Sequence, residues 1–495
     1  MTEPGPLSLL PIAVTLVIAL AARNVLAGLA VGLFVGVLLI SGAGPLLASK
    51  LLVTEHLVPE LMDGYNAAVL VLLAFIGGFV GLMERSGGGQ AFARDVTRYL
   101  TSKLRLQLAA WSGGILIFFS DLGTPLIVGP VFRDLADRLR MSRQKLAFII
   151  DSTASPVAIL VPFIGWGVYV MSLLNQQFEL LGVAESDYQA FVAAIPFQFY
   201  AWLAVAIVPL LALLKLDYGA MRGVEQSLSA TGPAPETTTD SPPAAEAGTG
   251  RAFFIWLPLL VLGGVLCWLL VPLGFPFEQV SGSEFRAALS VAYMSAAGVL
   301  LLLLTVTGAR KLLESIEIYF AGMSRMLQVA IMLVLAWALA DVGAALGTGE
   351  YIAGVAAAGL PGWLLPVTTF FFAALVSFAT GSSWGTFAIL FPLALPAAVA
   401  TDAPLAVTIG AVLSGGLFGD HSSPISETTI LAATGADCSA FDHFRTQLPY
   451  ALTNGLLAAA AFIAAGMLGS ALILPVLLGI QLAVLLLIRA GSSAG

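Results

Sequence analysis

Apolar residues run along this chain in long uninterrupted blocks, and polar residues collect between them. The blocks lack the two-residue alternation of a half-buried strand and are too long for one. About 20 apolar residues is what a helix needs to cross the ~30 Å hydrocarbon layer of a bilayer. The pattern predicts eleven full spans, near 7–22, 25–41, 65–84, 146–174, 191–214, 252–272, 287–308, 318–340, 405–433, 447–467 and 470–489. Two further apolar regions, 106–132 and 363–398, are broken in the middle, by SDLGTP at 120–125 and ATGSSWGT at 379–386. Glycine, proline and short hydroxyl residues in such clusters interrupt a helix. Residues 216–251 differ in kind. Their TGPAPETTTDSPPAAEAGTG run has almost no large apolar residue and predicts a flexible linker. The chain therefore divides into a first unit, 1–215, a linker, a second unit, 252–467, and an extra C-terminal helix, 468–495.

Charge decides how the two broken regions lie. Loop 85–105 carries Arg85, Arg94, Arg98, Lys103 and Arg105, and loop 133–145 carries Arg133, Arg138, Arg140, Arg143 and Lys145. Short basic loops stay in the cytoplasm. A single crossing by 106–132 would put one of them outside, so this region reads as a re-entrant hairpin. Broken backbone at membrane depth is tolerated only inside protein or beside a watery cavity. The region 363–398 is flanked instead by Asp341, Glu350 and Asp402 and reads as a hairpin from the outside. Loop 175–190, with Glu179, Glu185 and Asp187, falls outside, while Lys215, Arg222, Arg310 and Lys311 fall inside. This places the N-terminus outside and the linker and C-terminus in the cytoplasm.

The halves also match in sequence. Gly123, Thr124, Ile127 and Pro130 repeat as Gly385, Thr386, Ile389 and Pro392, and DSTASPVAIL at 151–160 resembles DHSSPISETTIL at 420–431. Each half is three spans, a hairpin, an interrupted span and a closing span. One half starts outside and the other inside, so the repeats are inverted. The fold class is an all-α integral membrane protein of about eleven transmembrane helices and two re-entrant hairpins.

Composition agrees and excludes alternatives. The chain is 59% hydrophobic and 10% charged, against roughly 25% charged in a soluble protein. A formal charge of −8 argues against nucleic-acid binding. Cys267 and Cys438 have no metal or redox spacing and read as ordinary core residues. No basic n-region or A-x-A-type site precedes the first apolar run, which reads as retained. No P-loop, H-E-x-x-H or G-x-S-x-G motif is present, so neither an ATP-driven motor nor a hydrolase is expected.

Inverted repeats with broken helices place a substrate site where the breaks meet. Segments 120–125, 151–156, 379–386 and 420–428 are expected to converge. Their Ser120, Thr124, Ser152, Thr153, Ser155, Thr380, Ser382, Ser383, Thr386, Ser422, Ser423 and Ser426 offer hard oxygen ligands suited to a small cation. Asp121, Asp151, Asp420 and Glu427 fall within apolar stretches. A carboxylate at membrane depth costs roughly 3 kcal/mol or more, so it is expected to face a cavity and a functional partner. Such a group holds either a proton or a cation, which is the core of exchange. Asp151, Ser155, Asp420 and Ser423 are the expected sodium ligands. The structural alternative for Asp121 and Asp151 is helix capping. Asp420 and Glu427 lie seven residues apart, two turns of one face on a continuous helix, although Pro424 interrupts it. His421 either senses pH or is hydrogen-bonded in place. Trp166 and Trp384 line the cavity or pack, and Glu84, Arg85 and Asp341 read as interfacial. No lysine or arginine falls inside the converging segments.

The runs GGFVGLMERSGG at 77–88, IIDSTASPVAILVP at 149–162 and GLFGDHSSPISETTIL at 416–431 resemble the NhaC family of sodium/proton antiporters, in order and spacing from about 65 to 450. The family commonly has Asp where this chain has Glu427. The resemblance implies proton-driven sodium efflux in a bacterial or archaeal inner membrane, with organic-anion exchange in some relatives. It also implies a homodimer with a scaffold and a moving elevator domain. Sodium-coupled transport of a small organic solute (an amino acid, amine or dicarboxylate) is the alternative, and a passive channel or sensor a minor one. No cofactor is expected beyond the sodium ion itself.

Overall fold

The computed structural model describes residues 5–89, 91, 100–230, 250–275 and 280–493. Arg94, Arg98 and residues 231–249 of the expected linker lie outside them. The described residues are helices and their connections, with no strand among them. The first unit contains α1 (Leu10–Ala22), α2 (Val25–Ser41), α3 (Gly64–Arg85), α4 (Lys103–Leu116), α5 (Gly123–Arg138), α6 (Arg143–Asp151), α7 (Gly165–Leu181) and α8 (Phe199–Leu214). After α9 (Gly219–Ala230) come α10 (Phe253–Leu270), α11 (Gly282–Val306), α12 (Leu312–Arg325) and α13 (Leu327–Ala345). The chain closes with α14 (Leu365–Thr380), α15 (Ser383–Ala400), α16 (Leu405–His421), α17 (Glu427–Ala436), α18 (Ala440–Leu468) and α19 (Ile473–Ser493).

Both broken regions turn back on themselves. The first hairpin is α4 and α5, of 14 and 16 residues, or ~21 and ~24 Å, short of a full crossing. Its mouth is closed by Lys103 Nζ, which donates to the Arg140 carbonyl at 3.3 Å. The second hairpin is α14 and α15. Its mouth closes where a Cβ on Gly362 would lie 2.3 Å from the Thr401 carbonyl oxygen. Its tip is Gly381, whose φ of +67° suits glycine and carries the chain straight into the Ser382 cap of α15.

Among the described residues, eight helices are long and apolar enough to cross a bilayer, and up to ten if two bent pairs each count as one span; two of the eight, Gly362–Thr380 and Ser383–Ala400, are the arms of the second hairpin, which are long enough to cross where a re-entrant turn was expected. The eleven expected spans exceed this for a physical reason. The span at 146–174 is divided into α6, a short turn at Ser155–Ala158 and α7, and the span at 405–433 into α16 and α17. Polar residues at Asp151–Ser155 and Ser422–Ser426 end those helices before they reach crossing length. The α2 helix also bends by 105° into an amphipathic stretch, Pro45–Met62, that the apolar pattern passes over. Nor is the linker uniformly extended. Met221, Val224 and Leu228 follow helical spacing, and α9 forms before the proline-rich run begins.

Glycines set the close approaches. On α3 and α12, a Cβ on Gly322 would lie 2.3 Å from the Gly77 carbonyl oxygen. Small residues let membrane helices pack backbone to backbone in this way. The α5 arm meets α17 likewise, where a Cβ on Gly435 would lie 2.3 Å from the Pro125 carbonyl oxygen. The helices form two packed groups: α1–α3 with α10–α13, and the hairpins with α6, α8 and α16–α19, while α7 touches both. Basic residues of two loops meet at one end, where Lys103 pairs with Glu225, Lys145 with Asp217 at 2.6 Å and Arg143 with Asp437. Arg310 donates to the Arg85 carbonyl at 2.9 Å. Neither cysteine is a core residue: Cys438 is half-buried and Cys267 is exposed on α10, a position an apolar helix side offers to lipid.

Candidate functional site

The breaks bring one polar cluster into the interior. Ser142 caps the start of α6, and nine residues later the helix ends at Asp151, which is fully buried. Asp151 Oδ2 accepts from Gln447 Nε2 at 2.6 Å and from Thr429 Oγ1 at 3.4 Å, and lies 3.3 Å from His443 Nε2. Oδ1 has no hydrogen-bond partner and faces His421 Nε2 at 3.8 Å. His421 ends α16, and its Nδ1 lies 3.3 Å from the Tyr200 hydroxyl on α8. Beside it, Asp420 Oδ2 accepts from Thr428 Oγ1 at 3.3 Å, and Ser426 Oγ is 3.0 Å from that same hydroxyl. Asp151 and Asp420 are near enough to act on each other electrostatically.

The second hairpin tip seals this cluster. Ser423 Oγ donates to the Phe378 carbonyl at 2.8 Å, and Ser377 and Ser383 both donate to the Gly416 carbonyl, at 2.6 and 3.2 Å. The first hairpin tip lies to one side. Asp121 approaches Trp166 and Glu427 rather than Asp151. Trp166 packs on Trp384, with ring centroids 4.7 Å apart. Glu427 is exposed whereas Asp420 is 3% exposed. The expectation that these two share a helix face does not hold, because they stand on different helices, α16 and α17, divided at Pro424.

The expected hydroxyls separate into three kinds. Thr124, Thr153, Thr380 and Thr386 donate back to carbonyls of their own helical turns. Ser382 and Ser426 cap α15 and α17. Ser152 is buried, and the Ser155 and Ser422 hydroxyls are buried without a hydrogen-bond partner. Ser120 leaves the cluster altogether: it donates to Glu84 Oε1 at 2.8 Å, and Arg325 Nη1 holds Glu84 Oε2 at 2.6 Å. Glu84 is thus a buried, paired residue rather than an interfacial one. Asp341 is exposed and accepts from Gln176 at 3.2 Å.

Sequence reasoning missed Tyr200, His443, Gln447 and the two threonines of α17. His443 and Gln447 are four residues apart on one face of α18, and Asn454 continues that face seven residues on. A polar stripe on an apolar helix was the available signal. The expected span began at 447 and left His443 in a loop. Among the described residues, Asp121, Asp151, Asp420 and Glu427 have no lysine or arginine partner. Nor do those residues hold any group of three or more His, Cys, Asp and Glu side chains arranged for a resident metal ion.

The sequence profile of the Na+/H+ antiporter family matches residues 5–179 and 157–467. The chain belongs to the Na+/H+ antiporter family. An uncharacterized protein of Haemophilus influenzae is 30% identical over 478 residues, 93% of this chain and 90% of that one. The arginine/ornithine antiporter ArcD of Halobacterium salinarum is 34% identical over 110 residues, 21% of this chain and 23% of ArcD. In fold, the chain is similar to the YdaH transporter of Alcanivorax borkumensis, with a TM-score of 0.60 and 16% identity over 85% of this chain and 89% of that one. This family member is a multi-pass membrane transporter of the antiporter class.

Proposed function

We propose that this antiporter drives sodium out of the cell by taking up protons, with Asp151 and Asp420 as the carboxylates that hold either ion. The observation that carries this reading is Asp151 Oδ1: a fully buried carboxylate oxygen without a hydrogen bond, on a group with no lysine or arginine partner. A buried carboxylate with only two histidines and no lysine or arginine beside it is costly to leave charged, so on this reading it takes a proton or a cation. Mutual exclusion of the two is exchange. Ser155 Oγ and Ser422 Oγ, also buried and unpartnered, are the hydroxyl ligands such an ion would take. Glu427, which is exposed, receives the ion from water on this reading. The end gathering Lys103, Arg143 and Lys145 is the cytoplasmic one, which puts the N-terminus outside and the C-terminus inside. The homodimer and elevator movement implied by the NhaC resemblance belong to the same proposal. Neutralising Asp151→Asn or Asp420→Asn abolishes sodium-driven proton movement in vesicles while the protein stays folded. Exchange at the wild-type rate in either variant removes that residue from the coupling role.

A second reading is exchange of an amine-bearing solute. Asp121 and Glu427 beside Trp166 make an acidic, aromatic lining suited to an organic cation, and ArcD carries such solutes. Counterflow of labelled arginine without sodium supports this reading, and its absence leaves the first.

A further inference from the structure

The two oxygens of Asp151 are treated differently by the protein, and the difference comes from residues outside the four broken segments. Oδ2 is engaged by Gln447 Nε2 at 2.6 Å, His443 Nε2 at 3.3 Å and Thr429 Oγ1 at 3.4 Å. Oδ1 has no partner. A carboxylate held on one oxygen by two neighbouring side chains of one helix cannot rotate freely, so the free oxygen keeps one direction. Gln447 does more than hold Asp151. The same Nε2 donates to the His421 carbonyl at 3.1 Å, at the residue where α16 ends. One amide thus fixes the carboxylate of α6 against the break of the second half. The same two helices are also tied by Lys145 in the first turn of α6 and Tyr450 of α18, which share Asp217 Oδ1 at 2.6 and 3.2 Å.

We propose that Gln447 and His443 are positioning residues for ion exchange: they anchor Asp151 Oδ2 so that Oδ1 alone is presented to the exchanged cation or proton. This rests on the reading of Asp151 as an exchanging carboxylate. It assigns His443 a different task from carrying the proton. The groups facing Asp151 are His421 and Asp420 from α16, Thr429 from α17, His443 and Gln447 from α18 and Tyr200 from α8. No lysine or arginine among the described residues pairs with it, so the donors on Oδ2 are the amide, the imidazole and the hydroxyl.

The test uses the full chain in vesicles, with an imposed sodium gradient and a lumenal pH dye, and compares wild type with Gln447→Glu and His443→Gln. A glutamate at 447 donates to Asp151 only when protonated. Gln447→Glu is therefore expected to keep exchange at acidic pH, and to show an apparent KM for sodium raised about tenfold as pH rises. His443→Gln keeps a neutral donor and is expected to retain exchange within about threefold of wild type. A pH-independent loss of kcat with unchanged KM in Gln447→Glu marks a merely structural residue and overturns the proposal. Abolished exchange in folded His443→Gln makes His443 a proton carrier and overturns its positioning role. Should Gln447→Glu not fold, sodium-dependent thermal stabilisation of purified Gln447→Leu decides. Loss of the sodium effect supports positioning, and wild-type stabilisation refutes it. If wild type itself moves no protons, the exchange reading has failed, and this outcome is distinct from failure of the positioning role.

Discussion

Asp151 sits at the last turn of α6, where helical carbonyls are unpaired and a carboxylate gains nothing from the helix dipole. The position is therefore held by its neighbours, and the chemistry follows from them. Conservative lengthening tests this. Asp151→Glu moves the carboxylate about 1.5 Å toward His421, into a space closed by two histidines and a glutamine. We expect sodium KM to rise at least tenfold with the protein still folded, read as initial rates against sodium concentration; an unchanged KM would show that Oδ1 is not a ligand. Asp151 and Asp420 were legible in the sequence because an acidic residue in an apolar block has few structural excuses. Gln447 and His443 were harder to see, since amide and imidazole groups at helix ends usually have bland roles. Glu427 was legible as buried chemistry but stands exposed, because Pro424 turns α17 away from α16.

The first hairpin shows what an element contributes beyond its residues. Its α5 arm packs on α17 through Gly129 and Gly435, while its tip is held to the other helix group by Ser120 on Glu84. Glu84 and Arg325 ride on α3 and α12, which glycines lock together. A hydrogen bond to a charged group contributes about 1.5–3 kcal/mol. Removing it by Ser120→Ala frees the tip and is expected to change kcat severalfold while sodium KM holds, measured by initial rates. An altered KM with constant kcat would place Ser120 at the ion rather than at the joint. Both turns were legible, because glycine and short hydroxyl residues at 120–125 and 379–386 break the apolar runs. The Glu84 contact was not, because its partners lie 36 and 241 residues away along the chain.

Across the molecule, the segment after α8 straps one end. Glu225 is buried, which alone would raise its pKa, but hydrogen bonds from Lys103 and the Ser142 amide, with the charge of Lys145, hold it below the ordinary 4.5. A depressed carboxylate stabilises the fold above its unfolded pKa, and that contribution is lost as pH falls through the folded value. Glu225→Gln is expected to melt below wild type at neutral pH, with the gap closing below about pH 4. An equal gap at both pH values would mean that packing, not charge, accounts for the difference. Composition and block length disclosed the membrane fold. The strap was hidden because its proline-rich continuation masks a helical start at Met221, Val224 and Leu228. Under the proposed exchange, a sodium gradient alone moves protons through this chain. Vesicles containing the wild-type protein, loaded with sodium and diluted into sodium-free buffer with the membrane potential clamped, should acidify inside as sodium leaves. A lumenal pH that stays constant, with lithium and potassium failing as well and folded protein present in the membrane, would rule out cation/proton exchange by this chain.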